Sequence, residues 1–260
     1  MTKMDIANWE NEINVAKTAA KAAGKALLDA SLKSIISNKG RDIKLKADLE
    51  AETVILNIIE KESSYPILSE ESNRHKAYFH ENSFLWVIDP LDGTLNYSKG
   101  IGFCCVSIAL WKDGLPLLGV IYDFNHDDLF SGVINKGAWC NDKPIHPSYD
   151  ISPDKAVLVT GFPINRDFSN KALADFIENI KAFKKIRLLG SAALSLAYVA
   201  CGKADGYVEE DIMLWDVAAG IAIVKAAGGN VYCQDSSKTP FARNIMAGNV
   251  FRKVNHYDSL

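Results

Sequence analysis

The chain has 260 residues, of which 48% are hydrophobic and 23% are charged, with a formal net charge of -3. This composition is typical of an ordered globular protein, since no long polar or like-charged block predicts disorder. This net charge gives no indication of binding to nucleic acid or to an anionic membrane surface, since such binding requires clustered lysine and arginine. Without a membrane-length apolar run or a signal-peptide pattern, the sequence predicts a cytoplasmic protein.

The N-terminal part of the chain predicts two amphipathic helices. Alanine, leucine and lysine recur at helical spacing from about Ile6 to Ile36, and Gly40 then interrupts the pattern. A second helix is predicted at about Leu49 to Lys61, with its apolar residues on one face. Asp48 lies directly before this second helix.

Between about residues 65 and 134, short apolar runs bounded by turn residues predict strands. Their short connections favour an antiparallel sheet flanked by the two N-terminal helices. The predicted strands are Tyr65 to Leu68, Phe84 to Ile88, Cys104 to Trp111, Leu117 to Asp123, and Leu129 to Ile134.

Beyond about residue 150, predicted strands and helices alternate, which indicates an α/β half. The strands are Ala156 to Thr160, Ile186 to Leu189, a short one near Tyr207, and Asn230 to Cys233. The helices are Asn170 to Ala182, Ala192 to Cys201, and one that begins at Trp215. No repeat or long linker is visible, so we predict a single unit over residues 1–260, with subdomains at 1–150 and 151–260.

The segment 89–94, Asp-Pro-Leu-Asp-Gly-Thr, follows a predicted strand and is the most informative motif of the sequence. In layered α/β proteins, ligands gather at the carboxyl ends of strands. Pro90 fixes one backbone angle and Gly93 lets the backbone approach a ligand, which suits a rigid turn that presents Asp89 and Asp92 together. A helix beginning just after the motif would add free N–H groups that bind an anion.

Ordinary structural roles are open for each of these acids. Asp-Pro and Asp-Gly pairs are common in turns, and Asp89 or Asp92 would serve equally as a helix cap. Asp216 begins a strongly apolar predicted helix, where a cap or first-turn acid is favourable without any ligand. Asp48 has the same explanation at the start of its own helix.

The combination of acids favours a cation site over these separate roles. Glu70 and Glu71 follow another predicted strand, and adjacent acids there need solvation or a shared cation. We interpret Glu70 as a ligand and Glu71 as a solvated neighbour. Two magnesium ions about 3.5–4 Å apart can bridge a phosphate and lower the pKa of a bound water. The sequence therefore predicts metal-assisted hydrolysis that needs no protein nucleophile.

In their order and spacing, these motifs resemble the inositol monophosphatase family of metal-dependent, lithium-sensitive phosphatases. The resemblance covers nearly the whole chain and rests on Asp48, Glu70-Glu71, residues 89–94, residues 136–141, Gly190-Ser191-Ala192 and Trp215-Asp216. It implies a five-layer α-β-α-β-α sandwich of the inositol monophosphatase and fructose-bisphosphatase type, usually as a homodimer. It also implies two or three Mg²⁺ ions in each active site.

The resemblance further implies a role for each matching residue. The metals would be held by Glu70, Asp89, the carbonyl of Leu91, Asp92 and Asp216. The implied catalytic residues are Asp48, Glu70 and Thr94: Asp48 and Thr94 would position and deprotonate the attacking water, with a third metal near Glu70. The N–H groups of Gly93 and Thr94 would bind phosphate, and Glu209 would meet a substrate hydroxyl. Further substrate contacts would come from Asp92, Gly190, Ser191, Ala192 and Asp216.

Asn96 and Tyr97 follow the 89–94 motif as in the inositol-phosphate branch of the family. The expected substrate is therefore inositol monophosphate or a similar polyol or sugar phosphate, with no nucleic-acid or membrane partner. Open alternatives are a 3'(2'),5'-bisphosphate nucleotidase, a fructose-1,6-bisphosphatase and a non-enzymatic protein-binding scaffold. Haloacid dehalogenase phosphatases are disfavoured, because they need one residue between two aspartates, whereas two separate Asp89 from Asp92.

Overall fold

The computed structural model describes residues 9–29, 34–39, 42–72, 83–149, 151–162, 167–237 and 241–251. Within these ranges the α-helices are α1 (Glu10–Leu27), α2 (Lys46–Glu62), α3 (Thr94–Lys99), α4 (Asn170–Ile180), α5 (Ala192–Ala200) and α6 (Leu214–Ala226). Among these helices, none combines the length and the apolar character that crossing a membrane requires.

The strands of the same ranges fall into three groups along the chain. The N-terminal strands are β1 (Ile35–Lys39) and β2 (Asp42–Leu45). The central strands are β3 (Ile67–Ser69), β4 (Phe84–Asp92), β5 (Cys105–Lys112), β6 (Leu115–Asp123), β7 (Asp128–Val133), β8 (Gly137–Cys140) and β9 (Lys143–Pro144). The C-terminal strands are β10 (Val157–Thr160), β11 (Lys185–Leu188), β12 (Gly206–Met213), β13 (Val231–Asp235) and β14 (Ala242–Ala247).

Two large sheets carry the architecture. Strands β3 to β9 form a seven-stranded sheet in sequence order, antiparallel except for the parallel pair β3 and β4. The second sheet has the order β11-β10-β12-β14-β13, with β10 parallel to both of its neighbours. Strands β1 and β2 pair as a separate antiparallel hairpin.

Helices and sheets alternate in layers. Helices α1 and α2 cover one face of the seven-stranded sheet, where the buried alanines of α1 allow close packing. The other face packs against α5 and α6, which also contact the second sheet. Helix α4 covers the outer face of that sheet through Phe176 and Ile180. This arrangement confirms the α-β-α-β-α layering expected from the sequence.

Helix α6 lies between the two sheets because its sequence has no polar face. Its residues are apolar apart from Asp216 near the start and Lys225 near the end. A helix that is hydrophobic all round has to be buried. The packing that completes the core therefore also fixes the position of Asp216, which is partly buried and lines a cavity.

The predicted first helix is too long. Helix α1 ends at Leu27, and the chain at 35–39 pairs with 42–45 as a hairpin instead of continuing the helix. Leu28, Ile35 and Ile36 are each more than half exposed, so they do not extend the buried stripe of α1. Strand pairing overrides the helical pattern here. Residues 6–8 and 30–33 of the prediction lie outside the described residues.

The other predicted helices and strands are present with shifted ends, while β8, β9 and β14 were missed. The largest shift is in β4, which continues past Ile88 to Asp92. Its pairing with β5 changes register between Asp89 and Asp92, where Pro90 has no N–H to donate. The predicted turn is therefore an irregular strand end, a feature that commonly redirects side chains beside sites.

Gly119 of β6 lies where α6 approaches the seven-stranded sheet most closely. A methyl group added to Gly119 would lie 2.8 Å from the Cα of Ala219. Because backbone cannot move aside as a side chain can, Gly119→Ala is expected to lower the free energy of unfolding by about 1–3 kcal/mol. Urea denaturation measures this loss. Gly102→Ala is the control, since its nearest atom would be 3.7 Å away; equal losses in both variants would contradict the packing argument.

Candidate metal centre

Three carboxylates from separate elements converge at one end of the seven-stranded sheet. Glu70 directly follows β3, Asp89 lies in β4, and Asp216 lies in the first turn of α6. One oxygen of each side chain lies within 4.8 Å of the other two. Carboxylates this close repel one another unless protons or a cation compensate their charge. The oxygen-only donor set suits a hard divalent cation.

Burial raises the pKa of all three carboxyl groups. Loss of solvation is the main cause, and the charges of the neighbouring carboxylates add to it. The pKa of Glu70 is raised to about 8, and those of Asp89 and Asp216 lie well above their usual range. Keeping these groups ionised therefore costs free energy, and a bound divalent cation would offset that cost.

Asp92 lies in the same pocket but has dedicated hydrogen-bond donors. Its Oδ2 accepts from the Ser191 hydroxyl at 2.6 Å and from the Ala193 N–H at 2.7 Å, both at the start of α5. Burial raises the pKa of Asp92 to about 6, while these bonds lower it. These hydrogen bonds favour the ionised form of Asp92 and connect the end of β4 to α5.

Asp48 contacts this site through Thr94. It is the third residue of α2, and its carboxylate accepts from the N–H of Leu45 and from the Thr94 hydroxyl, the latter at 3.2 Å. The same hydroxyl lies 3.0 Å from the carbonyl oxygen of Leu91. Burial raises the pKa of Asp48 to about 7. Thr94 lines the pocket, whereas Asp48 lies behind it.

Glu71 differs from its predicted state. We expected a solvated neighbour of Glu70, but the Glu71 side chain is only 9% exposed and forms an ion pair with Lys44 of β2. A carboxylate at this depth needs such a partner. The adjacent acids 70 and 71 therefore have different environments, one in the carboxylate cluster and the other paired with an ammonium group.

A cavity of about 610 Å³ contains the carboxylate cluster. This volume lies in the range of small-molecule sites. Its walls include the predicted ligands Glu70, Asp89, Leu91, Asp92 and Asp216. They also include the predicted substrate contacts Gly93, Thr94, Gly190, Ser191, Ala192 and Glu209. Apart from Asp48, the structure thus brings all the predicted site residues together around one cavity.

Glu209 of β12 is held in place by two neighbours. The Tyr207 hydroxyl donates to its Oε2 at 2.6 Å. A methyl group on Gly161 would lie 2.6 Å from its Oε1, so the backbone there passes directly beside the carboxylate. Tyr207 and Glu209 are two residues apart on one strand and therefore share a face.

Other residues of the pocket wall were not predicted from the sequence. Further lining residues are Ile43, Leu95, Thr160, Gly161, Phe162, Ser195, Asp211, Ile212 and Met213. Apolar and small wall residues carry no chemical signature in a single sequence. Tyr207 was also missed, although its spacing from Glu209 on a predicted strand was a usable signal.

The pocket lies at strand ends, contains a cluster of carboxylate oxygens and has the hydrogen-bonded pair Asp48 and Thr94 beside it. This arrangement is typical of a metal-assisted hydrolase. The sequence model described as the inositol monophosphatase family matches residues 8–258 of this chain. The chain therefore belongs to the inositol monophosphatase family and is a hydrolase of phosphate monoesters.

Individual relatives are similar to the chain over most of its length. The inositol-1-monophosphatase of Synechocystis sp. is 39% identical over 238 residues, covering 90% of this chain and 81% of the relative. The Nus factor SuhB of Xylella fastidiosa is 37% identical over 258 residues, covering 94% and 91%. The solved structure of the inositol monophosphatase from Anabaena (Nostoc) superimposes with a TM-score of 0.80 at 38% identity, covering 94% of this chain and 93% of that one.

Without metal, the protein is expected to be less stable at about pH 8 than at about pH 5. The raised pKa values of Asp48 and Glu70 mean that the folded state binds protons more tightly than the unfolded chain. Their stabilising contribution is complete below about pH 4 and is lost as the pH rises through about 7 to 8. Thermal unfolding in a chelator measures the difference, at about 2–4 °C for each kcal/mol.

Added Mg²⁺ should restore the melting temperature at about pH 8 and have little effect at about pH 5, where protons compete for the same oxygens. Asp89→Asn removes one ionisable member of the cluster and should therefore flatten the pH dependence of the metal-free protein. Equal stability of the metal-free wild type at both pH values would contradict this account of the cluster.

Proposed function

We propose that this chain is a Mg²⁺-dependent phosphatase that acts on inositol monophosphate or a similar polyol or sugar phosphate. The observation that carries the proposal is the convergence of Glu70, Asp89 and Asp216 within 4.8 Å, in a cavity that also contains Glu209. The relatives named inositol monophosphatase support the substrate class.

The donor set suits Mg²⁺, which prefers carboxylate and carbonyl oxygens together with water and phosphate. We assign two or three ions to Glu70, Asp89, the carbonyl of Leu91, Asp92 and Asp216. When bound, such ions lower the pKa of a coordinated water and neutralise the leaving oxygen of a phosphate ester. The raised pKa values of the cluster support this assignment, because a cation offsets the repulsion among its carboxylates.

We assign Asp48 and Thr94 to the attacking water. The Thr94 hydroxyl can donate its single proton to Asp48 while its oxygen accepts a proton from water. Burial raises the pKa of Asp48 to about 7, which suits a base that works near neutral pH. The pair thus has the geometry to orient a water and draw a proton from it.

The backbone at Gly93 and Thr94 is assigned to the substrate phosphate. Gly93 has a φ of +89°, and a methyl group there would lie 2.9 Å from the Phe103 carbonyl oxygen, so both conformation and space require glycine. The N–H groups that follow this turn have no partner within the start of α3. We assign the segment Gly190 to Ala192 to the remainder of the substrate.

Glu209 is assigned to a substrate hydroxyl, and Glu209→Gln tests this role. The substitution is expected to raise KM for inositol monophosphate about tenfold, which corresponds to losing about 1.5 kcal/mol of a hydrogen bond to a charged acceptor. Its KM for p-nitrophenyl phosphate, which has no neighbouring hydroxyl, should not change. Steady-state kinetics on both substrates measure the contrast, and an equal rise in both KM values would contradict the assignment.

Asp89→Asn tests the metal centre itself. The substitution is expected to lower phosphate release at least about 10³-fold, since metal ligation contributes several kcal/mol of charge stabilisation in the transition state. Circular dichroism should show an intact fold. Asp123→Asn is the matched control, because Asp123 is equally buried but is hydrogen-bonded to Asn125 and His126 instead of lining the cavity.

A substrate panel with and without Mg²⁺ separates the alternatives. It comprises inositol monophosphate, fructose 1,6-bisphosphate and phosphoadenosine phosphate. Preference for either of the last two would move the assignment to a fructose-bisphosphatase or a bisphosphate nucleotidase. A protein silent on all of them would favour the scaffold, as would a cellular role that survives Asp89→Asn. We also propose a cytoplasmic homodimer that lithium inhibits.

A further inference from the structure

The side chain of Asn96 in α3 joins two segments that are far apart in the sequence. Its Nδ2 group donates to the Leu189 carbonyl at 2.7 Å and to the Phe103 carbonyl at 2.8 Å. Both amide protons are therefore used, and both acceptors are backbone atoms. Asn96 does not line the cavity, so it acts on the pocket from behind its wall.

The first of these bonds fixes the chain just before α5. Gly190 follows Leu189 with a φ of +80°, and a methyl group on it would lie 3.0 Å from Nδ2 of Asn96. A side chain at this glycine would therefore push against the amide. The turn at 189–190 is thus packed directly on the asparagine, one residue before the cap of α5.

The residues that follow this turn hold Asp92. The Ser191 hydroxyl and the Ala193 N–H donate to Oδ2 of Asp92, as described above. The Ser191 hydroxyl also accepts from the Leu194 N–H at 3.2 Å as the cap of α5. The orientation of the Asp92 carboxylate therefore depends on where α5 begins.

The second hydrogen bond of Asn96, to the Phe103 carbonyl, holds backbone next to Gly93. The Phe103 carbonyl that accepts it is the atom that lies 2.9 Å from the position of a methyl group on Gly93. Gly93 follows Asp92 directly. One amide group thus holds the backbone beside Gly93 and the turn that leads to the donors of Asp92.

We propose that Asn96 is a positioning residue for the metal centre, which sets the orientation of Asp92 through the start of α5 and the turn at Gly93. This inference rests on the proposed function, in which Asp92 is a metal ligand. Groups that hydrogen-bond to metal ligands change metal affinity about 10–100-fold. Because Asn96 acts through intervening residues, its loss is expected to weaken Mg²⁺ binding about 5–10-fold.

Asn96→Leu tests the proposal, because it removes both donors while keeping the branching and the number of side-chain heavy atoms. Isothermal titration calorimetry with Mg²⁺ is expected to give a Kd about 5–10-fold weaker than that of the wild type. The titration is made without substrate, because the turn at 189–190 and Gly93 are also assigned to substrate contacts and a change in KM alone does not separate the two roles. A rise in KM with unchanged Mg²⁺ affinity would overturn the proposal.

Asn249→Leu is the matched control. Asn249 also donates its amide to a distant backbone carbonyl, that of Ser148, at 2.9 Å, but this carbonyl lies outside the segments 92–93 and 189–193 that hold Asp92. This variant should lose stability to a similar extent and bind Mg²⁺ as the wild type does. A comparable loss of affinity in the control would show a general effect of destabilisation and overturn the specific role of Asn96.

A double-mutant cycle tests the route through Ser191. If Asn96 acts through the start of α5, Asn96→Leu together with Ser191→Ala should weaken Mg²⁺ binding less than the product of the two single effects. Independent effects would overturn this route. Should Asn96→Leu not fold, Asn96→Ser is the second variant; its hydroxyl is too short to replace both bonds of the amide, so a loss of Mg²⁺ affinity in the same direction is expected.

The wild-type titration separates the two levels of the proposal. A wild type that binds no Mg²⁺ would overturn the proposed function and the role of Asn96 with it. If the wild type binds Mg²⁺ and a folded Asn96→Leu or Asn96→Ser variant binds it equally well, only the role of Asn96 is overturned.

Discussion

The site of this protein depends on holding together three carboxylates that repel one another. Glu70, Asp89 and Asp216 lie within one ion's reach of each other, and burial with mutual repulsion raises the pKa of each. Such a cluster persists only if each acid is carried by an element that is stabilised elsewhere. A bound divalent cation would relieve this repulsion, which would couple metal binding to stability.

Helix α6 shows how the fold meets this constraint. It is buried because it is apolar on all sides, and its contact with Gly119 is too close for any side chain at that position. The hydrophobic core thus places Asp216 against the ends of β3 and β4, and the free energy of core packing offsets the repulsion at the site. Core and active site share the same helix, so neither can be altered independently.

The other acids in and near the pocket each have a hydrogen-bond or ion-pair partner. Asp92 has donors from α5, Glu71 has Lys44, Asp48 has Thr94, and Glu209 has Tyr207. Each partner sets how readily the neighbouring carboxyl ionises or which way it points. Through such local contacts, carboxylates in and beside one pocket have different environments although they share the same chemical group.

The sequence by itself predicted the alternation of helices and strands and the grouping of acids at strand ends and helix starts, because apolar periodicity and the compact 89–94 motif are local signals. The five-layer order and the roles of the individual acids were implied by the resemblance to the inositol monophosphatase family. The extent of α1, the bulged end of β4 and the pairing of Glu71 with Lys44 were decided only by the tertiary structure. The same holds for the contacts of Asn96 with Leu189 and Phe103. Each depends on which distant segments pack together, and packing between layers leaves no periodic or compositional trace in a single chain.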